Sequence, residues 1–148
     1  MKAVVQRVIR AHVRVDGKVV GEVQRGMVIF LGVMKGDTAT EAQNLALRIS
    51  RFRFFADETG RMNLSASQVG GGALVVSQFT LAADGRKGRR PSFDAAAPPS
   101  EAEPLYELFA ETLAGEGLPV GRGVFGAHME VDCVGDGPVT FILEEIAT

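Results

Sequence analysis

Apolar residues along the chain follow two rhythms, one of period two and one of period three to four, and the switches between them mark out the elements. Residues 3 to 15 alternate around Val4, Val8, Val13 and Val15. Asp16-Gly17 then supplies a tight two-residue turn into the segment KVVGEV, so the chain opens on a β-hairpin. The run GMVIFLGV, Gly26 to Val33, is apolar without a break and of strand length, as expected of a central strand covered on both faces. Thr38-Ala39-Thr40-Glu41 has the spacing of a capping box and predicts a helix whose Ala42, Leu45, Ala46 and Ile49 share one face. A short strand is expected at Arg51 to Phe55, ended by Asp57-Glu58-Thr59-Gly60, and a second buried strand over Gly71 to Ala83, GGALVVSQFTLAA. Ser100 to Glu103 repeats the capping-box spacing and predicts a helix with Leu105, Leu108, Phe109, Thr112 and Leu113 on one side, stopped by Gly115 and Gly117. The remainder reads as a short strand near Val120, then strands at Ala127 to Val134 and Val139 to Ile146. The pattern predicts an α+β fold: one layered domain, 1–148, with two helices on a mixed or mostly antiparallel sheet of about seven or eight strands.

Composition narrows the setting. At 148 residues and 46% hydrophobic content, the chain can bury a core without metals or disulfides. Its single cysteine, Cys133, excludes an internal disulfide framework and suits a reduced, cytoplasmic location. The opening MKAVVQRVIRAHVRV carries charge every few residues and has no continuous apolar run, so it reads as neither signal peptide nor membrane span. A formal charge of −2 argues against nucleic-acid binding through bulk electrostatics, and no DNA partner is expected. The charge is unevenly placed, however. Arg86, Lys87, Arg89 and Arg90 crowd a loop between glycines and Pro91, within an irregular stretch from 84 to 99. Such a run is either a solvated loop or a holder of a few phosphates.

The search for chemistry returns little. Of the two histidines, His12 alternates with Arg14 and Asp16, and His128 with Glu130 and Asp132; both read as solvent-facing strand residues. Cys133 lies on the opposite strand face from His128, which excludes a Cys-His pair there. No metal-ligand spacing exists, so no metal and no cofactor is expected. The glycines of VGGGAL precede a strand rather than a helix and read as a turn, not a phosphate cradle. Two anomalies remain. Ser77, Gln78 and Thr80 interrupt an apolar strand, where unbonded polar groups cost about 1–3 kcal/mol each; they either satisfy neighbouring backbone or line a pocket. Gly137-Pro138 stands at the mouth of a hydrophobic strand, where proline removes a ladder donor. It is also the linkage where a cis peptide costs least, about 0.5–1 kcal/mol.

The segments SQFTL at 77–81 and GPVT at 137–140, in a chain that begins MKAVVQRV, closely resemble the D-aminoacyl-tRNA deacylases. The likeness extends through GVMKGD, MNLS, RPSF and FGAHM, over essentially the whole chain. The resemblance implies a homodimeric hydrolase that cleaves the ester between tRNA and a D-amino acid, or glycine mischarged on alanine tRNA. It implies that Ser77, Gln78, Phe79 and Thr80 form the strand of the pocket for the terminal adenosine and the ester. Gly137-Pro138 would be a cis pair inserted into the partner subunit's pocket to exclude L-amino acids, with Arg7 fixing it and Phe125 and Met129 lining the pocket. No general base stands within reach of Thr80, and an unactivated hydroxyl is a poor nucleophile. Water attack is therefore favoured, with backbone N–H groups near Phe79 and Thr80 stabilising the oxyanion and the substrate 2′-hydroxyl moving the proton. A polyanionic ligand also favours phosphate contacts at Arg86, Lys87, Arg89 and Arg90. Many members of the family carry asparagine where this chain has Gly135, which leaves Asp136 to brace the loop. A module that binds the aminoacylated tRNA end without turnover is the competing reading.

Overall fold

In the computed structural model, which describes residues 1–148, β1 (Lys2–Val15), β2 (Lys18–Val23) and β3 (Gly26–Gly32) open the chain. Helix α1 (Ala39–Arg51), the small strands β4 (Phe55–Ala56) and β5 (Met62–Leu64), and β6 (Gly72–Ser77) follow. Helix α2 (Pro99–Gly115), β7 (Val120–Arg122) and β8 (Glu130–Glu144) complete it. Six strands form one mixed sheet, and β4 and β5 pair separately. This is the expected α+β fold with its two helices.

The long strand β1 organises the sheet. Ala11 is paired with Val23 of β2 on one edge and Cys133 of β8 on the other, while Ala3 is paired with Leu31 of β3 and Leu143 of β8. β2 and β3 therefore share one edge of β1, and β8 runs along the other, all antiparallel. β6 then joins β3, and β7 joins β6, in parallel, each after a crossover carrying a helix. Gly26 lies opposite Gly72, where a side chain on Gly26 would sit 2.0 Å from the Gly72 carbonyl oxygen, so the β3–β6 start requires glycine.

Both helices cover one face of the sheet. Ala42, Leu45, Ala46 and Ile49 of α1 and Ala102, Tyr106, Phe109, Ala110 and Leu113 of α2 join Ala3, Val5, Ile29, Leu31 and Val75 in the main core. The α1 capping box forms as read: the Thr38 hydroxyl accepts from the Thr40 N–H at 3.2 Å, and the Glu41 carboxylate accepts from the Thr38 N–H at 2.7 Å. On the other face Val8, Val13, Val23, Val28, Leu74 and Val76 make a second cluster, Val28, Leu74 and Val76 by alternation with Ile29 and Val75.

Several expectations are corrected. Arg51 ends α1, Phe52 turns extended as its C-cap, and pairing begins only at Phe55–Ala56. The strand expected over Gly71–Ala83 stops at Ser77, and a 3₁₀ turn takes over at Phe79–Ala82. No capping box opens α2; the helix begins at Pro99, since proline lacks the N–H that the first helical position leaves unbonded anyway. Its buried side turns on Tyr106 and Ala110, with Leu105, Leu108 and Thr112 only half-buried. The last two strands are one. Gly137-Pro138 sits inside β8, at a bulge opposite Arg7, not at a strand mouth. β8 pairs with β1 alone, so its outer edge is free and proline costs no ladder bond there. The strand is also less buried than its composition suggests, with Val139 alone fully covered and Ile142 69% exposed.

Candidate functional site

A cleft of about 580 Å³ opens beyond the carboxyl end of β6, the position at which sheets with parallel strands commonly take ligands. Its floor is Val76, Ser77, Gln78 and Phe79; one wall is Phe93, Ala96, Ala97 and Pro99; the other is the loop Phe125–Met129 with Val131. Helix α2 fixes the floor from behind. The buried Tyr106 phenol donates to the Val75 carbonyl at 2.9 Å, and burial pushes its pKa up to about 12, with the neighbouring Glu107 charge adding to the rise. Next to it the Gly123 N–H bonds the same carbonyl at 3.0 Å, which ties the start of the 123–129 wall to β6.

The polar residues of SQFTL are not buried strand groups, because the strand ends where they begin. Ser77 and Gln78 are half-buried, Phe79 is 56% exposed, and Thr80 is exposed and outside the cleft lining. The Thr80 hydroxyl accepts from the Gln78 side-chain amide and has no base beside it. The backbone is more informative. Gln78 N–H donates to the Leu31 carbonyl at 2.8 Å, and the first bond of the 3₁₀ turn runs from the Leu81 N–H to the Gln78 carbonyl at 3.2 Å. The Phe79 and Thr80 N–H groups precede that bond, so the turn itself offers them no acceptor. Two adjacent donors are thus free at the cleft edge.

Among the lining residues His128 is the sole ionisable side chain; neither a carboxylate, a lysine nor Cys133 reaches the cleft. His128 is exposed, as expected, but stands in the loop before β8 and rims the cleft. His12 is half-buried rather than solvent-facing, its Nε2 3.5 Å from the carboxylate of Asp132 directly across the strand pair. Periodicity marks 84–99 only as an irregular loop, and it is the fold that brings its Phe93 to the cleft. Phe93 meets Phe79 edge-on at 5.2 Å and forms half of the cleft mouth.

Gly137, Pro138 and Arg7 do not line this cleft. The Gly137-Pro138 peptide is cis and both residues are exposed. Gly137 holds φ at +136°, and a side chain there would come within 2.7 Å of Val139, so no other residue fits. Arg7 braces the loop from inside: its guanidinium donates to the Phe54 carbonyl at 2.8 Å and the Asp136 carbonyl at 3.2 Å, and pairs with the Asp136 carboxylate at 3.2 Å. Gly135 touches nothing at the position of a side chain, and Asp136 does the bracing. Beyond the loop, Phe141 packs edge-on against Phe52 and Phe54 at 5.1 and 5.6 Å, which seats the strand behind it. Arg86, Lys87, Arg89 and Arg90 are all exposed beside the cleft mouth, joined to it through Ser92 and Phe93.

The sequence model of the family described as "D-Tyr-tRNA(Tyr) deacylase" matches residues 4–144. The chain belongs to that family. Relatives of the D-Tyr-tRNA(Tyr) deacylase family carry the name D-aminoacyl-tRNA deacylase. The one from Geobacter metallireducens is 55% identical over 97% of this chain and 95% of its own length. That from Persephonella marina is 54% identical over 99% of both. Among solved structures, one titled "c-Myc DNA Unwinding Element Binding Protein" is 40% identical with a TM-score of 0.92, covering 99% of this chain and 100% of that one. A second, titled as the structural analysis of a probable eukaryotic D-amino acid tRNA deacylase, shares the fold at a TM-score of 0.85 and 16% identity, over 97% of this chain and 98% of its own. The resemblance read from SQFTL and GPVT thus holds over nearly the whole chain.

Proposed function

We propose that this protein hydrolyses the ester joining a D-amino acid to the terminal adenosine of tRNA, releasing the free amino acid and the tRNA. Membership of the deacylase family supports the reaction class. The observation that carries the mechanism is the pair of free N–H groups at Phe79 and Thr80, beside a cleft without a carboxylate, lysine or cysteine. Such a site can stabilise an oxyanion but has little to activate a side-chain nucleophile. Water is the attacking group in this reading. The Phe79 and Thr80 N–H groups receive the developing oxyanion, and the 2′-hydroxyl of the terminal ribose carries the proton to the leaving oxygen. Ser77 and Gln78 hold the ester against the turn, while Phe125 and Met129 enclose the aminoacyl group.

Chirality is read by a second copy of the chain. Gly137 and Pro138 are exposed and lie outside their own cleft, and β8 offers a free edge with Ile142 uncovered. These features support a homodimer in which each Gly137-Pro138 pair enters the partner's cleft, where its carbonyls leave room for the α-hydrogen and amine of a D-residue. An L side chain is excluded by contact with the same carbonyls. Glycine has no side chain to exclude, so glycine mischarged on alanine tRNA is also a substrate. The reaction belongs with translation in the cytoplasm.

The test is a chirality-resolved assay with D-tyrosyl-tRNA and L-tyrosyl-tRNA. Release of D-tyrosine with the L ester left intact is the expected result. Protection of both esters without release would make the protein a module that binds the aminoacylated tRNA end.

A further inference from the structure

The basic loop is divided in two by its own hydrogen bonds. Arg86 turns back on the loop, its guanidinium donating to both oxygens of the Asp84 carboxylate at 2.9 and 2.6 Å, while the Arg86 N–H donates to the same group at 3.0 Å. Its charge is neutralised where it stands. Lys87, Arg89 and Arg90 are exposed and make no ion pair. Gly88, at φ +70°, turns the chain between them. The loop's ends are closed by paired backbone bonds between Asp84 and Ser92, at 2.8 and 2.9 Å. Ser92 leads directly into Phe93 at the cleft mouth, against Phe79. The other acid nearby, Asp94, is exposed past the closure and bonds the Ser92 hydroxyl through its N–H.

We propose that Lys87, Arg89 and Arg90 form a clamp for the phosphates next to the terminal nucleotide of the tRNA, and that Arg86 with Asp84 is the latch that holds the clamp at the cleft. The proposal rests on the deacylase reading and adds to it the source of affinity for the nucleic-acid part of the substrate. The geometry sets the reach. At about 3.3–3.6 Å per extended residue, the loop tip at Gly88, four residues from either end, lies within roughly 13–14 Å of the Asp84–Ser92 closure. That is the range of the one or two phosphates that precede a nucleotide seated in the cleft. Arginine and lysine at these positions contact backbone rather than bases, so the clamp holds any tRNA end without reading its sequence. In a chain of net charge −2, it concentrates the attraction at one place.

The experiment compares two substrates in the intact protein, D-tyrosyl-tRNA and the D-tyrosyl ester of adenosine alone, across 50–200 mM salt. Each single-strand phosphate contact contributes about 0.7 to the slope of log affinity against log salt, so one or two contacted phosphates predict a roughly 3- to 7-fold rise in KM for the tRNA over that range. The triple variant Lys87→Gln, Arg89→Gln, Arg90→Gln should flatten that dependence and leave hydrolysis of the adenosine ester unchanged. Arg86→Gln should leave the salt slope as it is while weakening tRNA use. An unchanged slope in the triple variant, or an equal loss on both substrates, would overturn the proposal. Failure of the unaltered protein to hydrolyse either ester would overturn the deacylase reading instead.

Discussion

Arg7 and Thr80, both read from the sequence as candidate site residues, are placed very differently. Arg7 is nearly enclosed, 13% exposed, and its guanidinium satisfies two carbonyls and a carboxylate at once. Arg7→Ala removes those donors, and leaving buried carbonyls unbonded costs about 1–3 kcal/mol. Urea unfolding should show that loss, and the preference for the D over the L ester should narrow by roughly tenfold, the rate equivalent of about 1.4 kcal/mol, because the Gly137-Pro138 loop is no longer held still. Arg7→Lys should restore little, since an ammonium cannot span the fork between Phe54 and Asp136. Thr80 is exposed, and its hydroxyl meets only the Gln78 amide. Thr80→Ala keeps the backbone N–H and should retain kcat within roughly tenfold, a change smaller than the 10²–10³ expected from losing an oxyanion donor. Loss of all turnover in a folded, tRNA-binding Thr80→Ala protein would make the hydroxyl the nucleophile. The sequence already held the scarcity of bases around Thr80, but not its exposure. That depends on where β6 stops.

At the scale of elements, the capped helix α1 is the most locally specified. Glu41 is held below its ordinary carboxyl value of 4.5 by the hydroxyl of Thr38 first and the Thr38 N–H second. Asp57 is lowered by the Thr59 hydroxyl above all, and Asp84 by the Arg86 guanidinium above all. A depressed carboxyl pKa stabilises the fold at pH above the unfolded value, and that contribution disappears as the pH falls through the folded value. Thermal unfolding should therefore hold level from pH 7 to about 5 and decline below about 4.5, where these carboxyls begin to protonate. Glu41→Gln should lower the plateau and shallow the decline; an identical acid limb would remove Glu41 from its cause. Helix α1 was legible because its cap, its face and its end lie within a few consecutive residues. Helix α2 was legible in position but not in start, because Pro98 and Pro99 outweigh the Ser100 spacing. Its inward side follows Tyr106, whose phenol is drawn to a β6 carbonyl that nothing in the local sequence marks.

For the whole molecule, the proposed assembly turns on the face of the sheet away from the helices. Val4 lies opposite Phe30 on one side and Ile142 on the other, and the three form an apolar row with Ile142 largely uncovered. Together with the free edge of β8, it offers a second copy both an apolar face and unpaired backbone groups. Ile142→Glu should leave the monomer folded and shift sedimentation to a single chain, with the D-over-L preference lost at the same step. A dimer of unaltered selectivity in that variant would place the contact between copies elsewhere.

What the sequence determined by itself is everything carried by short-range pattern: the hairpin at Asp16-Gly17, the buried β3, the first helix and its cap, and the family through SQFTL and GPVT. These depend on neighbours two to four residues apart, which propensity and periodicity record. The tertiary structure alone decided that the last two strands are one, that its proline sits on a free edge, and that Arg7 reaches across to Phe54 and Asp136. It also ended β6 at Ser77, turning the second half of what read as one buried strand into a 3₁₀ turn with two free N–H groups. These depend on contacts between residues as far apart as Lys2 and Glu144, and pairing of that range is settled only when the sheet closes.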